Sequence, residues 1–212
     1  VFPSILMPTT DVRARGLRIL LASGWTSISD SVKCRHLAAC KYLTGKRKFT
    51  KHSGMKKIIN PWKNLVKDGY NCFGCAPENP YGLKMEFYED GDEIVSFWTP
   101  SDNYQGWLKT LHGGIQAALM DEIAAWVIAR KLQTAGMTTN LNIKYRKPVS
   151  TGAGEKLEVR AHIKETKRNF AFISACIIYN GEVCSEAEMT YFCFTEEKAA
   201  SDFYFRGCEV ED

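Results

Sequence analysis

The sequence lacks a long apolar run. Its longest candidate, around residues 17–25, is interrupted by Arg18, Ser23 and Gly24, whereas a membrane-spanning helix needs about 20 apolar residues. It also lacks a glycine-rich phosphate loop, an HExxH zinc helix and a dinucleotide-binding fingerprint. We therefore expect a cytoplasmic protein with no membrane partner and no cofactor.

The dense cysteine framework of a small secreted domain is also missing. Eight cysteines are spread thinly over Cys34–Cys208 of the 212-residue chain. We expect reduced thiols, with Cys176 and Cys184 buried as small hydrophobes. Cys72 and Cys75 fit half a zinc site or a redox pair, but no second pair has matching spacing. The sequence therefore predicts no metal and a tight turn at this pair.

Acidic residues are scarce at the start of the chain. Residues 1–54 hold ten Lys or Arg and two Asp or Glu, whereas residues 55–212 hold 18 and 22. The net charge of +4 therefore comes from the extension, and nucleic-acid binding is not expected. The extension could be a targeting peptide, a DNA- or membrane-binding arm, or a stretch upstream of a true start at Met55. We expect it to be poorly ordered.

Regular turn signals predict one domain over residues 55–195, followed by a C-terminal tail over 196–212. Pro61 begins a short helix, and Asn180-Gly181 predicts a type I′ hairpin. The other predicted elements are strands at Leu83–Tyr88 and Ile94–Thr99 around an Asp-Gly turn, a helix over Gly113–Thr134, and strands at Thr138–Arg146, Glu155–Glu165, Phe170–Tyr179 and Glu182–Phe194.

The long predicted helix is apolar nearly all round. Between Ile115 and Arg130 its charged residues are Asp121 and Glu122. Such a helix must be covered on most sides, so we expect the following strands to wrap it as a sheet. Two acids in its middle are costly unless they are paired or used.

His112-Gly113-Gly114 stands at the start of this helix. Backbone N–H groups lack partners there and the helix dipole is positive, which suits a carbonyl oxygen gaining negative charge. Taken alone, the tripeptide also fits a flexible loop.

Asp121 lies eight residues beyond Gly113, about 12 Å along the helix, too far to attack a carbonyl held there. Either Asp121 is unrelated to that site, or an antiparallel second subunit brings it there.

Leu111–Gly114, with Asp121 nine positions after the histidine, resembles the PaaI-type branch of the hotdog-fold acyl-CoA thioesterases. The order of elements is similar, as is Asn142–Val149, and Cys72–Leu83 resembles a segment of many bacterial members. The resemblance covers Pro61–Phe194. It implies an α+β hotdog fold with an antiparallel sheet of about six strands around a long central helix. It also implies a homodimer, arranged as a dimer of dimers (a homotetramer), that hydrolyses acyl-CoA.

The resemblance implies roles for individual residues. The Gly113 amide would polarise the thioester carbonyl, with Gly114 shaping the turn. Asp121 would be nucleophile or general base for water. His112 would order the turn or contact substrate, and Thr138 would orient the water.

Contacts to substrate are implied on other elements. Lys167, Arg168 and Asn169 would bind CoA phosphates, although a solvated hairpin tip fits them equally well. Just before the motif the sequence departs from better-studied relatives, because residues 105–110 replace the polar residue that some of them place near the thioester; Gln105 is the candidate to take its place. We expect Glu122 to pair with a basic group at the dimer interface or to support the active site.

A hotdog module that binds acyl-CoA without turnover is the alternative function. The retained Asp121 argues against it, because a pure binder has no use for a costly carboxylate. A dehydratase of the same fold would need a catalytic histidine on another element, and His162 lacks the surrounding pattern.

Overall fold

The computed structural model of the chain describes residues 54–211. Expectations about the basic extension, apart from its last residue, therefore lie outside the described residues. The strands of the described part are β1 (Lys56–Lys57), β2 (Tyr88–Asp90), β3 (Glu93–Trp98), β4 (Gln105–Trp107), β5 (Thr110–Leu111), β6 (Gly136–Tyr145), β7 (Leu157–Lys167), β8 (Phe170–Tyr179) and β9 (Glu182–Cys193). The α-helices are α1 (Gly113–Val127) and α2 (Glu196–Asp202). None of the helices in this part of the chain has the length and apolar character needed to cross a bilayer.

Seven strands form one antiparallel sheet in the order β1-β2-β3-β7-β8-β9-β6, and β4 pairs with β5 separately. The four strands after α1 begin and end within two residues of their predicted bounds. Asn180 and Gly181 have φ values of 52° and 74°, as a type I′ turn requires. The predicted α+β architecture of a sheet packed against a long helix is confirmed, with a seventh strand supplied by the two-residue β1.

Helix α1 packs against β3, β6, β7, β8 and β9. A π-helical turn over Ile128–Leu132 continues it, close to the predicted end at Thr134. The side chains that form the centre of the core are fully buried: Leu119, Met120, Ile123, Ala124 and Val127. Burial of a large aliphatic side chain stabilises the fold by about 1.5–3 kcal/mol, so this face of α1 fixes the helix on the sheet.

The predicted strand at Leu83–Tyr88 is shorter in the structure. Leu83, Met85 and Phe87 are buried in alternation, as a strand would have them. However, the amides of Leu83 and Met85 donate to the carbonyl oxygens of Phe73 and Gly74 over 2.7 and 2.9 Å. The segment is therefore extended but pairs with the Cys72–Cys75 turn until β2 begins at Tyr88.

The segment expected to be a C-terminal tail packs on the domain. Helix α2 begins at Glu196 and is capped by the Thr195 side chain, and Ala199, Phe205 and Cys208 are buried in the core. Val210 forms an isolated antiparallel bridge with Ile58. A few scattered side chains and backbone hydrogen bonds hold the segment in place. Because these side chains follow no regular hydrophobic period, the sequence did not predict this packing.

Cysteines are free throughout the described residues. Cys176 and Cys184 are buried on β8 and β9, which confirms their predicted placement.

Candidate active site

His112 caps helix α1. Its Nδ1 accepts a hydrogen bond from the Gly114 amide over 2.8 Å, and its carbonyl oxygen accepts from the amides of Ile115 and Gln116. A capping side chain of this kind satisfies an amide that the helix start leaves open. The Gly113 amide has no acceptor within residues 54–211. Of the two glycine N–H groups in the motif, it is therefore the one that an incoming oxygen could use.

Tyr145, near the end of β6, covers the first residue of the helix. A Cβ at Gly113 would lie 3.3 Å from the ring carbon Cζ of Tyr145, and the Tyr145 hydroxyl donates to the Gly113 carbonyl oxygen over 2.8 Å. The contact joins the start of α1 to the sheet. No sequence signal points to it, because it depends on how β6 crosses the helix.

Strand β4 lies beside the capping histidine. A Cβ at Gly106 would lie 3.0 Å from His112 Cδ2, and the His112 amide donates to the Tyr104 carbonyl oxygen over 2.9 Å. Gln105 is exposed, and its Oε1 accepts from the Lys109 amide over 3.1 Å. Its side-chain oxygen is thus used within the β4–β5 turn, and its contact with a thioester stays a prediction.

Two hydroxyl groups hold the Asp121 carboxylate. The hydroxyls of Thr138 and Tyr191 lie 2.7 and 2.8 Å from Asp121 Oδ1. No group within the described residues donates to Oδ2. Anchoring one oxygen fixes the plane of the carboxylate and leaves the other able to accept a proton or attack a carbon. The predicted contact of Thr138 with water stays a prediction.

Tyr191 is the site residue that sequence reasoning missed. It is 1% exposed on β9, and burial together with the negative charge of Asp121 raises the pKa of its hydroxyl. The hydroxyl therefore stays protonated and donates. Tyr191 sits among apolar residues of a strand and looks like a core side chain. Tyr191 pairs with Thr138 across β9 and β6. This pairing indicates a site residue only after the two strands have been aligned.

Gly113 and Asp121 lie at opposite ends of the contact between α1 and β6. Gly113 touches Tyr145, near the end of the strand, whereas Asp121 bonds Thr138, near its beginning. Two helical turns, about 12 Å, separate the two helix residues. One chain therefore does not bring them together.

The predicted phosphate-binding residues form the exposed turn between β7 and β8. Arg168 has a φ of 54° in this turn. Phe170, directly after it, is opposite Phe192 of β9, which in turn is opposite Met137 of β6. The turn Lys167–Asn169 therefore lies at the end of the sheet where β6 begins, on the side of Asp121.

Comparison with known proteins shows a similarity to one family over part of the chain. Residues 108–185 match the model of the thioesterase superfamily. This segment contains the capped helix start, Asp121, Thr138 and the β7–β8 turn. This part of the chain is similar to the thioesterase superfamily.

Proteins similar to this chain include mouse acyl-coenzyme A thioesterase 13. The two are 35% identical over 84 residues, which is 39% of this chain and 59% of the mouse protein. A crystal structure of another thioesterase superfamily protein matches with a TM-score of 0.51 and 24% identity, over 55% of this chain and 57% of that one. Zebrafish thioesterase superfamily member 2 gives 0.50 and 20%, over 61% and 94%. These structures confirm the hotdog fold.

Glu122 contacts different groups from its neighbour Asp121. Its Oε1 accepts from the Trp126 indole over 3.0 Å, and the Cys72 sulfur lies 3.6 Å from Oε2. The Cys75 thiol holds the pKa of Cys72 below its usual value, whereas the contact with Cys72 and burial raise the pKa of Cys75. Glu122 therefore joins a cysteine pair inside the subunit, and a basic partner at a dimer interface stays a prediction.

Proposed function

We propose that the protein hydrolyses an acyl-CoA thioester to the free acid and CoA. The observation that carries this proposal is the Asp121 carboxylate, anchored at Oδ1 by Thr138 and Tyr191 and open at Oδ2. The Gly113 amide, which has no acceptor within residues 54–211, supplies a donor for the carbonyl oxygen. The match of residues 108–185 to the thioesterase superfamily and the name of the mouse relative support the same activity.

A homodimer would bring these two groups together. Strand β6 is at the edge of the sheet, and a sheet edge can pair with another strand. Antiparallel pairing of two copies of β6 would set Thr138 of one subunit near the partner's Tyr145. Because Thr138 contacts Asp121 and Tyr145 contacts Gly113, each Asp121 would then face the partner's Gly113. We propose this dimer as the catalytic unit and a dimer of dimers as the full assembly.

The proposed reaction uses Asp121 in one of two ways. The carboxylate either takes a proton from the water that attacks the thioester carbon, or attacks that carbon itself to form an acyl-enzyme that water hydrolyses. In both routes the Gly113 amide stabilises the negative carbonyl oxygen. The C–S bond breaks, sulfur leaves with the electron pair, and a proton from water ends on the CoA thiol.

The turn Lys167–Asn169 would bind the phosphates of CoA. Its two cations are exposed at the Asp121 end of β6, so they are free to form charge-assisted hydrogen bonds to phosphate oxygens. A soluble CoA ester also fits the cytoplasmic location expected from the sequence.

Release of CoA thiol from a panel of short, long and aromatic acyl-CoAs tests the proposal. We expect turnover of at least one class, and Asp121→Asn should lower kcat about 100-fold or more because a positioned acid or base contributes about 10²–10⁴-fold. Asp92→Asn, in the exposed β2–β3 turn, is the matched control and should act like wild type.

The same panel separates catalysis from binding alone. Acyl-CoA that raises the melting temperature without any thiol release would favour the alternative, a non-catalytic acyl-CoA-binding module. Equal turnover by Asp121→Asn and wild type would contradict the proposed mechanism.

A further inference from the structure

A cavity of about 620 Å³ lies beside helix α1, on the side of Glu122. Its lining includes five aromatic side chains from three parts of the chain: Trp62, Tyr70, Trp126, Phe203 and Tyr204. Its polar lining consists of Asp68 and a cluster of Cys72, Cys75 and Glu122, and the ligand atoms of that cluster all lie within 4.8 Å of one another. The proposed hydrolysis uses none of these three side chains in its chemical step.

The cluster has the spacing of metal ligands. Cys72 Sγ lies 3.7 and 3.6 Å from Oε1 and Oε2 of Glu122. Around a tetrahedral zinc ion with Zn–S near 2.3 Å and Zn–O near 2.0 Å, sulfur and oxygen ligands are about 3.5 Å apart. Gly74 makes the approach possible, because a Cβ there would lie 2.2 Å from the Glu122 carboxyl carbon. A side chain at position 74 would displace the carboxylate.

Outer hydrogen bonds orient the ligand atoms. The Tyr70 hydroxyl lies 2.9 Å from Cys75 Sγ and accepts from the Asn60 side-chain amide over 3.0 Å. The Trp126 indole donates to Glu122 Oε1 over 3.0 Å. Partners of this kind fix the geometry of ligands in metal sites.

The charge of the cluster favours a divalent cation. Within residues 54–211, no Lys or Arg forms an ion pair with Glu122. A carboxylate without a basic partner is costly in a partly buried site, and a metal ion that displaces the thiol protons would supply the positive charge. Thiolate ligands select zinc over magnesium or calcium.

We propose that Cys72, Cys75 and Glu122 bind one Zn²⁺ ion whose fourth coordination position faces the cavity. Three protein ligands and an open position are the pattern of a zinc ion that holds water or an exchangeable ligand. The aromatic lining suits a ligand with an apolar body and an oxygen or sulfur donor. The site is separate in its residues from Asp121 and Gly113, so it stands without the proposed hydrolysis.

Metal binding to the reduced, chelator-treated full chain tests this proposal with Zn²⁺ and Co²⁺ as probes. We expect one tightly held zinc per chain and a thiolate-to-cobalt charge-transfer absorption. Cys72→Ser and Cys75→Ser should weaken zinc binding about 100-fold or more, because even loss of an outer partner costs about 10–100-fold. Glu122→Gln should also weaken it. Cys193→Ser and Glu78→Gln, which lie outside the cluster, are matched controls and should bind like wild type.

Thiol alkylation of the wild-type chain gives a second measurement that needs no variant. Zinc should protect Cys72 and Cys75, whereas Cys193 should react equally with and without the metal. Circular dichroism of each variant checks that it folds. The proposal is overturned if neither thiol is protected and no cobalt absorption forms, or if both serine variants hold zinc as tightly as wild type.

Discussion

The hydroxyl of Tyr191 lies 2.8 Å from Asp121 Oδ1 and 2.7 Å from the backbone oxygen of the same residue. Tyr191 is thus a buried clamp that ties Asp121 to strand β9 through side chain and main chain together. Since Tyr191 is not expected to touch substrate, we assign it the role of a positioning residue in the proposed reaction.

Tyr191→Phe should reduce turnover by impairing the position of Asp121. A hydrogen bond to a charged group contributes about 1.5–3 kcal/mol, so we expect kcat to fall about 10-fold or more with little change in KM. Tyr179→Phe is the matched control. Tyr179 is also buried, but it lies on β8 eight residues from the residue that pairs with Tyr191. Steady-state kinetics on one acyl-CoA test this prediction. A change in KM alone would contradict a positioning role.

Mixing two inactive variants should restore activity if the site is shared. Asp121→Asn removes the carboxylate, and Gly113→Val places a side chain where Tyr145 lies 3.3 Å from the Cβ position. In a mixed dimer one site carries both defects and the other carries neither. Co-expression of equal amounts should therefore recover about a quarter of the wild-type activity per chain, since about half of randomly paired dimers are mixed. No recovery in verified mixed dimers would show that each site lies within one chain.

Removing the cations of the β7–β8 turn should weaken binding of CoA esters. We expect Lys167→Ala and Arg168→Ala each to raise KM about five-fold, equivalent to about 1 kcal/mol for an exposed charge pair, with kcat unchanged. Lys156→Ala, just before the opposite end of β7, serves as the control. A short acyl thioester without phosphates should be hydrolysed equally by all three variants. A similar loss with that substrate would contradict phosphate binding.

Glu89 should make stability depend on pH. It accepts from Arg130 and Lys131. Burial opposes ionisation, but these bonds hold its pKa below the ordinary value of 4.5. A lowered folded-state pKa stabilises the fold above the unfolded pKa, and this contribution is lost as the pH falls through the folded value.

Glu89→Gln should therefore lower the free energy of unfolding at pH 7 by about 1–3 kcal/mol. The deficit should shrink as the pH is lowered below about 4. Urea denaturation across this pH range measures it. Glu86→Gln, which breaks an exposed pair with Lys57, should cost less than about 1 kcal/mol. A deficit of equal size at acidic and neutral pH would rule out this assignment.

The sequence by itself determined the elements that depend on local pattern. The apolar helix from Gly113, the four strands after it and the Asn180-Gly181 turn follow from periodicity and turn chemistry, which neighbouring residues decide. The histidine-glycine motif and the costly Asp121 also marked the site, because unusual residues at a helix start and in an apolar helix stand out locally.

Only the tertiary structure decided which distant residues serve that site. Tyr191 and Tyr145 look like ordinary strand residues, and their contacts with Asp121 and Gly113 depend on how β9 and β6 align beneath the helix. The burial of Phe205 and the approach of Glu122 to Cys72 have the same origin. The named hydrogen bonds join positions 32 to 70 residues apart. No local pattern records them because packing of the whole chain, rather than the propensity of a segment, creates them.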